Sequence, residues 1–147
     1  MIRIREGNHD EVVQLLQEIP EFKNPCEIEE IEKRLSGEYL ILICESEDEK
    51  IGFKCGYRKS DNTFYSWLGG VKKEYRKQGI ADLLLAQMED WCRGKDYDFL
   101  EFKTLNEHVS MLIFSLKRGF QITEVLDSVK DKRKRILLVK TLRDGRI

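Results

Sequence analysis

Two spacings of hydrophobic residues divide the 147-residue chain into predicted strands and predicted helices. Where apolar residues alternate with polar ones, or form short unbroken runs, the pattern predicts β-strands. These strands are predicted at residues 2–5, 39–45, 51–58, 63–71, 99–104, 121–129 and 135–142. Elsewhere apolar residues recur every three or four positions, which is typical of amphipathic helices. The strands at 39–45, 51–58 and 63–71 follow one another through short polar turns, so they predict an antiparallel meander.

Capping signals locate the first two predicted helices. Asn8 and Glu11 form a capping-box pair at the start of the first helix, and Pro20 ends its apolar repeat. Asn24 is predicted to cap the second helix, with Pro25 at its first position. The second helix is expected to end at a glycine, residue 37. Both helices read as packing elements without chemistry of their own.

Two further helices are predicted from their apolar stripes. The third follows Gly79, and its core-facing stripe is expected to be Ile80, Leu83, Leu84, Met88 and Trp91. The fourth ends at Gly119, with Phe120 packing back against a stripe of Val109, Leu112, Ile113 and Leu116. Because the third helix lies between the strands at 63–71 and 99–104, it predicts a crossover between two strands that are parallel or locally splayed.

A basic loop joins the strand at 63–71 to the third helix. Gly79 can take backbone angles that are closed to other residues, and Ala81 is small enough for close approach by a ligand. The first N–H groups of a helix have no internal partner and can bind a phosphate. Arg76 and Lys77 would add positive charge, Arg76 with a fork that fits phosphate oxygens. The loop therefore suits a diphosphate, although a short glycine motif is also typical of an ordinary strand–helix connection.

The spacing of the loop resembles a known coenzyme signature. Val71 ends the strand, Arg76 follows in the loop, and Gly79 and Ala81 stand where the helix opens. This is similar to the acetyl-CoA signature of the GCN5-related N-acetyltransferase (GNAT) family, in which Arg or Gln is followed by two residues, Gly, one residue, and Gly or Ala. The resemblance implies direct transfer of an acetyl group from acetyl-CoA to an amine, without a covalent enzyme intermediate.

A second stretch extends the resemblance over the rest of the chain. Asn106 follows the strand at 99–104, and the next helix ends in Gly119-Phe120. This is similar to the family's order of strand, asparagine, helix and Gly-Phe. The resemblance therefore implies one N-acetyltransferase domain over residues 1–147 with an α/β (α+β) fold. Its central sheet is expected to be mixed, mainly antiparallel, flanked by helices, and splayed between the fourth and fifth strands.

The resemblance also implies which residues hold acetyl-CoA. Backbone N–H groups of the loop would grip the pyrophosphate, and backbone groups at the strand end would pair with the pantetheine arm. One of those N–H groups would stabilise the oxyanion, and a side-chain amide would hold the arm from the other side. The implied coenzyme-binding residues are Gly70, Val71, Arg76, Lys77, Gln78, Gly79, Ile80, Ala81 and Asn106. The alternative interpretation of Asn106 is a helix cap.

The catalytic groups follow the family less closely. Many members carry a tyrosine four residues before the Gly-Phe glycine, placed to protonate the departing thiolate, and Ser115 stands at that position here. The hypothesis is that Ser115 directs a water or the thiol. No general base is identified, because the strand at 63–71 contains no carboxylate. The candidates that stay open are Glu29, Glu30, Glu101 and His108.

Composition and charge narrow the classes of function. With 41% hydrophobic residues and 2 prolines, the chain is expected to fold as a globular domain. A formal net charge of −1 gives no overall field for nucleic acid or an anionic membrane. The first residues lack the apolar core of a signal peptide, and the run at 40–44 is too short to span a bilayer. Reduced thiols, no bound metal and a cytoplasmic setting are expected from the unpaired spacing of Cys26, Cys44, Cys55 and Cys92.

An acidic segment bears on the acceptor of the acetyl group. Residues 17–38 contain seven carboxylates and three basic side chains, a balance of −4 in a chain whose total is −1. One interpretation is a solvated helix face, and the other is an acidic rim that attracts a cationic amine. In the resembled family this first helical hairpin borders the acceptor site. The expected acceptor is therefore an amine of a small cationic molecule or a protein amino group, and a homodimer stays open.

Two other classes of function remain as alternatives. The missing tyrosine and the missing strand carboxylate leave open a non-catalytic acyl-CoA-binding module. The basic cluster at residues 130–135 is compatible with a nucleic-acid-binding domain, but the near-neutral net charge speaks against it. Release of free CoA in the presence of an amine separates the enzyme from the binding module.

Overall fold

The computed structural model describes residues 1–127 and 131–143. The described residues form seven strands, four α-helices and one short 3-10 helix. In chain order the elements are β1 (Ile2–Glu6), α1 (His9–Glu18), α2 (Ile28–Arg34), β2 (Tyr39–Ser46), β3 (Glu49–Arg58), β4 (Thr63–Val71), the 3-10 helix (Lys73–Tyr75), α3 (Ile80–Gly94), β5 (Phe99–Leu105), α4 (Val109–Lys117), β6 (Gln121–Asp127) and β7 (Lys134–Thr141). The predicted order of elements is confirmed. The predicted end of β6, Val129, lies outside the described residues.

The strands form one sheet in the order β1-β2-β3-β4-β5-β7-β6. The pairings of β1 with β2, β2 with β3, β5 with β7 and β6 with β7 are antiparallel, whereas β4 and β5 are parallel. The expected mixed, mainly antiparallel sheet is therefore confirmed. The register of β4 with β5 covers Thr63–Tyr65 against Phe99–Glu101 only. Beyond Tyr65, β4 continues to Val71 outside that parallel register.

Two compact units make up the chain. The first contains Met1–Arg58 and Ser66–Trp91, and the second contains Lys59–Tyr65 and the described part of Cys92–Ile147. In the first unit, α1 and α2 pack on one face of β2 and β3. Its buried cluster consists of Val12, Leu15, Leu16, Ile19, Ile31, Leu35, Ile41, Ile43, Phe53 and Cys55. Burial of this apolar surface is the main stabilising contribution to the unit.

The start of α1 is confirmed and the start of α2 is corrected. The Glu11 N–H donates to Asn8 Oδ1 at 3.0 Å, and the Asn8 N–H donates to Glu11 Oε1 at 3.0 Å, which completes the capping box. By contrast, α2 begins at Ile28 with Glu27 as its N-cap, not after Asn24. Asn24 has a φ of +51°, whereas a capping residue needs an extended backbone. The helix therefore starts later than the Asn-Pro signal predicts.

The buried face of α3 is rotated from the predicted one. Leu83 is 48% exposed, although it was expected in the core, and Leu85 is buried. These two residues lie on opposite flanks of the stripe centred on Leu84 and Met88, and both satisfy a helical period. The contacts of the folded unit, not the period, select between them.

The predicted core stripe of α4 is wrong in most positions. Val109 is 57% exposed, Ile113 49% and Leu116 47%, whereas Ser115 is buried. Apolar residues occupy most of the nine positions of this helix, so their spacing cannot select one face. The end of the helix agrees with the prediction, since Gly119 has a left-handed φ of +95°.

The second unit is organised by β5, β6 and β7. The ring of Phe120 meets the ring of Phe102 edge to face, with centroids 5.1 Å apart, so Phe120 packs back as predicted. In the described part of the basic cluster, Arg133 forms ion pairs with Asp131 at 2.7 Å and Glu107 at 3.5 Å. Lys130, the first residue of that predicted cluster, lies outside the described residues. Among the described residues, no helix has the length and hydropathy needed to cross a membrane.

Candidate functional site

The chain turns sharply between the end of β4 and the start of α3. The Lys72 N–H donates to the carbonyl of Ile51 at 2.8 Å, which fixes the end of β4 against β3. The Tyr75 N–H then donates to Lys72 O at 2.9 Å, and the Arg76 N–H donates to Lys73 O at 3.3 Å. These bonds form the 3-10 helix and leave the chain at Arg76 in extended backbone. We call the segment from Arg76 to Ala81 the coenzyme loop.

Two left-handed residues shape the coenzyme loop. Lys77 has a φ of +64° and Gly79 a φ of +80°. A Cβ atom built on Gly79 would meet no atom within 4 Å, so the glycine is required by its backbone angles and not by crowding. The Leu83 N–H donates to Gly79 O at 3.1 Å, which closes the first turn of α3 directly after the glycine. The open space beside Gly79 leaves room for a ligand against the backbone.

The coenzyme loop presents unpaired backbone donors. Within the described residues, no acceptor is found for the N–H groups from Lys77 to Ala81. The loop side chains from Arg76 to Gly79 are exposed, and Ile80 is buried beneath them. Successive N–H groups at a helix start, next to cationic side chains, form a favourable site for an anion. The loop therefore fits the diphosphate that the sequence predicts there.

The Arg76 side chain has a different partner from the one expected. Its guanidinium donates to both carboxylate oxygens of Glu21, each at 2.7 Å, and its Nε–H donates to Val71 O at 2.9 Å. The hydrogen bond from Arg76 lowers the pKa of Glu21 to about 2, and the Glu21 carboxylate raises the pKa of Arg76. The fork that the sequence assigns to phosphate is thus held by a carboxylate. Sequence reasoning missed Glu21, because it lies 55 residues away from Arg76 in the chain.

A second set of ion pairs holds the residues just before the loop. Lys72 Nζ lies 2.9 Å from Glu18 Oε1 and 3.4 Å from Glu49 Oε2. The Tyr75 hydroxyl donates to Glu49 Oε1 at 2.9 Å, and this bond raises the pKa of Tyr75. The hydrogen bond from Lys72 lowers the pKa of Glu18. Together with the Arg76–Glu21 pair, these contacts tie the end of α1 and the α1–α2 connection to the coenzyme loop.

The end of β4 passes unusually close to its neighbours. A Cβ built on Gly52 would lie 3.1 Å from the carbonyl oxygen of Gly70, and one built on Gly70 would lie 3.0 Å from the Phe22 ring. Gly70 is predicted to bind the pantetheine arm, and the structure places it against the α1–α2 connection. Trp67 and Leu68 both pack against the core cluster of the first unit, although they are consecutive. Since successive side chains of a regular strand point to opposite faces, β4 is irregular at this point.

Asn106 is held by the start of β7. Its side-chain Oδ1 accepts from the Lys134 N–H at 2.8 Å, and its own N–H donates to Lys134 O at 2.8 Å. The N-cap of α4 is His108, which makes no side-chain capping bond, so the cap interpretation of Asn106 is wrong. The Oδ1 of Asn106 is therefore engaged in fixing β7.

Ser115 and two of the candidate bases, Glu101 and His108, each have a contact in the structure. Ser115 is buried, and its Oγ–H donates to Met111 O at 2.8 Å. Glu101 is buried and forms an ion pair with Lys59. His108 is exposed, with its Nδ1 3.3 Å from the hydroxyl of Thr104. All of these residues lie in the second unit. Each carries a contact of its own that a catalytic role would have to share or break.

Two of the buried thiols are poor nucleophiles. None of the four cysteines forms a disulfide, and Cys44, Cys55 and Cys92 are buried. Burial raises the pKa of Cys55 to about 12, and burial also raises the pKa of Cys44. Because the thiolate is the nucleophilic form, Cys44 and Cys55 do not favour a covalent acyl-enzyme. Within residues 1–127 and 131–143, no three His, Cys, Asp or Glu side chains are grouped as metal ligands.

Comparisons with known proteins agree with one another. Residues 9–120 match a family model described as the acetyltransferase (GNAT) family. A search of the curated proteins finds no match. The ribosomal-protein-S18-alanine N-acetyltransferase from Escherichia coli superposes with a TM-score of 0.84 at 12% identity, covering 100% of this chain and 99% of that one.

Two other solved structures have bound coenzyme. A GNAT family acetyltransferase from Elizabethkingia anophelis with acetyl-CoA bound has a TM-score of 0.77 at 21% identity, covering 95% of this chain and 97% of the other. An aminoglycoside 6'-N-acetyltransferase complexed with coenzyme A has a TM-score of 0.82 at 18% identity, covering 99% of each chain. At these identities the structural likenesses establish the fold alone.

Proposed function

We propose, because the chain belongs to the acetyltransferase (GNAT) family, that it transfers the acetyl group of acetyl-CoA directly to an amine of a small cationic molecule. The observation that carries this proposal is the coenzyme loop, with its unpaired N–H groups from Lys77 to Ala81 around a left-handed Gly79. A relative with acetyl-CoA bound and another complexed with coenzyme A support the choice of co-substrate. One domain over residues 1–147 in a cytoplasmic setting completes the proposal.

The proposed coenzyme contacts divide between backbone and side chains. The N–H groups from Lys77 to Ala81 bind the pyrophosphate, and the exposed Lys77 ammonium adds charge. Because Glu21 holds its guanidinium, Arg76 serves chiefly to fix the loop and to add positive potential beside the diphosphate. The pantetheine arm pairs with backbone groups at Gly70 and Val71. Lys134 contacts only the Oδ1 of the Asn106 side chain, so the N–H groups of that amide are a further proposed contact for acetyl-CoA.

The proposed reaction is a direct acyl transfer. The neutral amine of the acceptor adds to the thioester carbon, and the new C–N bond forms as the carbonyl oxygen takes up negative charge. A backbone N–H of β4 beyond Tyr65, outside the parallel register with β5, stabilises that oxyanion. The C–S bond then breaks, the nitrogen loses one proton and the thiolate gains one. The raised pKa values of Cys44 and Cys55 support a route without an acyl-cysteine.

Ser115 is the proposed hydrogen-bond partner of the departing thiolate or of a water beside it. Its hydroxyl donates to Met111 O in the structure, so donation to sulfur requires the hydrogen to turn away from that carbonyl. A thiol with a reference pKa of about 8.5 also leaves as thiolate near neutral pH, so this donor assists the reaction without being essential to it.

The acceptor class rests on the charge of the α1–α2 region. Of its seven carboxylates, Glu18, Glu21 and Glu30 form ion pairs with Lys72, Arg76 and Arg34. These pairs reduce the acidic balance that the sequence suggests. The exposed carboxylates that add negative potential to this rim are Glu27, Glu29 and Glu32. A small cationic amine remains the proposed acceptor, and a protein amino group is the alternative that the Escherichia coli relative suggests.

Release of free CoA tests the enzyme against the binding module. Acetyl-CoA is incubated with the protein and with polyamines, amino sugars or peptides in turn, and the free thiol is measured. Turnover with a cationic small amine is the expected result. Tight acetyl-CoA binding without turnover on any amine would favour the non-catalytic module. That alternative is motivated by Ser115, which stands where many members of the family have a tyrosine. No calorimetric heat with CoA or acetyl-CoA at millimolar concentration would contradict the coenzyme loop itself.

A further inference from the structure

A cation lies on an aromatic surface of the first unit. The Arg34 guanidinium carbon is 5.2 Å from the centroid of the Trp67 ring. The Tyr57 ring meets the Trp67 ring edge to face, with centroids 6.1 Å apart. Arg34 Nη1 donates to the Tyr57 hydroxyl at 3.3 Å, and Arg34 Nε donates to Glu30 Oε2 at 2.9 Å. We call Trp67, Tyr57 and Glu30 the aromatic cluster, with Arg34 as its occupant.

The aromatic cluster lies beside the backbone that the proposed reaction uses. Trp67 lies two residues beyond Tyr65, the last residue of β4 in parallel register with β5. If the thioester pairs with β4 beyond that point, the acceptor nitrogen has to come within about 3–3.5 Å of the thioester carbon. Trp67 is itself part of that stretch of β4, so the aromatic cluster adjoins the backbone with which the thioester would pair. This inference therefore rests on the proposed function.

The aromatic cluster suits a positive charge. The face of a tryptophan ring attracts cations more strongly than that of tyrosine or phenylalanine, and a carboxylate beside it adds to the attraction. The chain already places its own cation there. Desolvation by burial lowers the pKa of Arg34. The hydrogen bond to the Tyr57 hydroxyl and the charge of Glu30 raise it by more, so the pKa of Arg34 lies above its ordinary value.

The two polar contacts that hold Arg34 at this position are weak. Its ion pair with Glu30 joins residues four apart on one helix, with side chains 46% and 42% exposed, which is the weakest class of ion pair. Its bond to the Tyr57 hydroxyl is long at 3.3 Å. A long arginine side chain also gains rotamer freedom when it leaves a surface contact. Another cation of comparable shape can therefore replace it.

We propose that Trp67, Tyr57 and Glu30 bind a non-reacting ammonium group of the acceptor, and that Arg34 competes with the acceptor for this place. The nitrogen that attacks the thioester must be neutral, whereas the nitrogen on the rings must be charged. The two are therefore different nitrogens of one molecule. The acceptor class follows: a small molecule with at least two amino groups, such as a polyamine or an amino sugar with several amines.

Matched amines test this assignment. Acetylation of 1,5-diaminopentane and of pentylamine, which differ only in the second amine, is measured by CoA release. We expect Trp67→Leu to raise KM for the diamine at least tenfold, to change KM for pentylamine less than twofold, and to leave KM for acetyl-CoA unchanged. Arg34→Ala is expected to lower KM for the diamine about threefold, because the competitor is gone. Arg3→Ala, an exposed arginine that pairs with Glu45, serves as the control and is expected to change nothing.

Three outcomes would overturn the proposal. A higher diamine KM in Arg34→Ala would mean that Arg34 recognises the acceptor instead of competing with it. If Trp67→Leu changes KM for the diamine and KM for pentylamine equally, the Trp67 ring only packs against its neighbours and does not bind the second amine. If a lysine peptide is acetylated in preference to every small amine, the acceptor is a protein amino group and not a small molecule with several amines. If Trp67→Leu fails to fold, the Arg34→Ala result still decides, since that side chain is 46% exposed.

Calorimetry separates this proposal from the proposed function. Spermidine is titrated into the protein in the presence of CoA, and its binding is expected to strengthen about threefold in Arg34→Ala. If acetylation is absent on every amine but spermidine binds in this Arg34-dependent way, the proposed function fails and the cation site stands. If amines are acetylated but spermidine affinity does not respond to Arg34→Ala, the cation site fails and the proposed function stands.

Discussion

Replacement of Gly79 by alanine separates backbone strain from ligand binding. Gly79 has a φ of +80° and Gly37 a φ of +68°, and a Cβ at either position would meet no atom within 4 Å. An alanine at either position would therefore have the same backbone strain and no steric clash. Gly79 lies in the coenzyme loop, whereas Gly37 lies in the turn between α2 and β2. Gly37→Ala is thus a matched control for Gly79→Ala.

The expected loss of stability follows from the backbone alone. Because neither Cβ meets a neighbour, no packing cost is added. The left-handed conformation costs a residue with a side chain roughly 1–2 kcal/mol. Alanine restores about 0.4–1 kcal/mol by restricting the unfolded chain. The net effect is about 1 kcal/mol of destabilisation for each variant, which corresponds to a fall in Tm of about 2–4 °C for a domain of this size.

Only Gly79→Ala is expected to weaken the binding of acetyl-CoA. If the alanine introduced at this position relaxes toward the right-handed region, the N–H groups that precede α3 turn away from a common point. Loss of one charge-assisted hydrogen bond costs about 1.5–3 kcal/mol. We therefore expect acetyl-CoA to bind roughly 10- to 150-fold more weakly to Gly79→Ala than to Gly37→Ala. Isothermal titration with acetyl-CoA, together with urea denaturation of each variant, measures both quantities.

Two outcomes would contradict these expectations. If Gly79→Ala and Gly37→Ala lose similar stability and bind acetyl-CoA equally well, the left-handed turn contributes nothing to the coenzyme site. If Gly79→Ala is as stable as the unmodified chain while Gly37→Ala is not, the loop accommodates alanine without strain. A positive φ would then not explain why a glycine occupies position 79.

Three further predictions concern the contacts around the site. Glu21→Gln is expected to cost about 0.5–1 kcal/mol at pH 7, since the bidentate pair with Arg76 is largely exposed. Because Arg76 lowers the pKa of Glu21 to about 2, this stability is present above the unfolded pKa of about 4.3 and is lost as pH falls toward 2. Urea denaturation across that pH range measures the free energy of unfolding of both proteins. A difference between them that does not change with pH would contradict the prediction. Ser115→Ala is expected to lower kcat by about fivefold, the value of one neutral hydrogen bond, and unchanged turnover would remove the proposed role. Gly52→Ala is expected to destabilise the chain by about 1–3 kcal/mol, because its Cβ would lie 3.1 Å from Gly70 O, and an unchanged Tm would show that β4 can move aside.

Signals from neighbouring residues predicted most helices and strands correctly, but they did not predict which helix faces are buried or where the second helix starts. The capping box at Asn8 and the left-handed Gly119 depend on neighbouring residues, so the sequence contains all the information that they need. The second helix starts late because Asn24 adopts a left-handed conformation that only the surrounding fold selects. In α4, the exposure of Ile113 and the burial of Ser115 cannot be read from a helix that is apolar on several sides.

The candidate site divides in the same way. The loop with Gly79 could be found from spacing, because a strand, a left-handed turn and a helix start are consecutive in the chain. The Arg76–Glu21 pair could not, since it joins residues 55 positions apart. The same is true of Arg34 on Trp67, which depends on how α2 packs against the sheet.

The order of elements, the family and the place of the coenzyme loop could therefore be predicted before folding was considered, because each rests on residues that are neighbours in the chain. Which charges meet and which helix faces are buried could be learned only from the folded chain. Those choices depend on packing between distant segments, where several arrangements satisfy the same local pattern and the contacts of the folded chain select one.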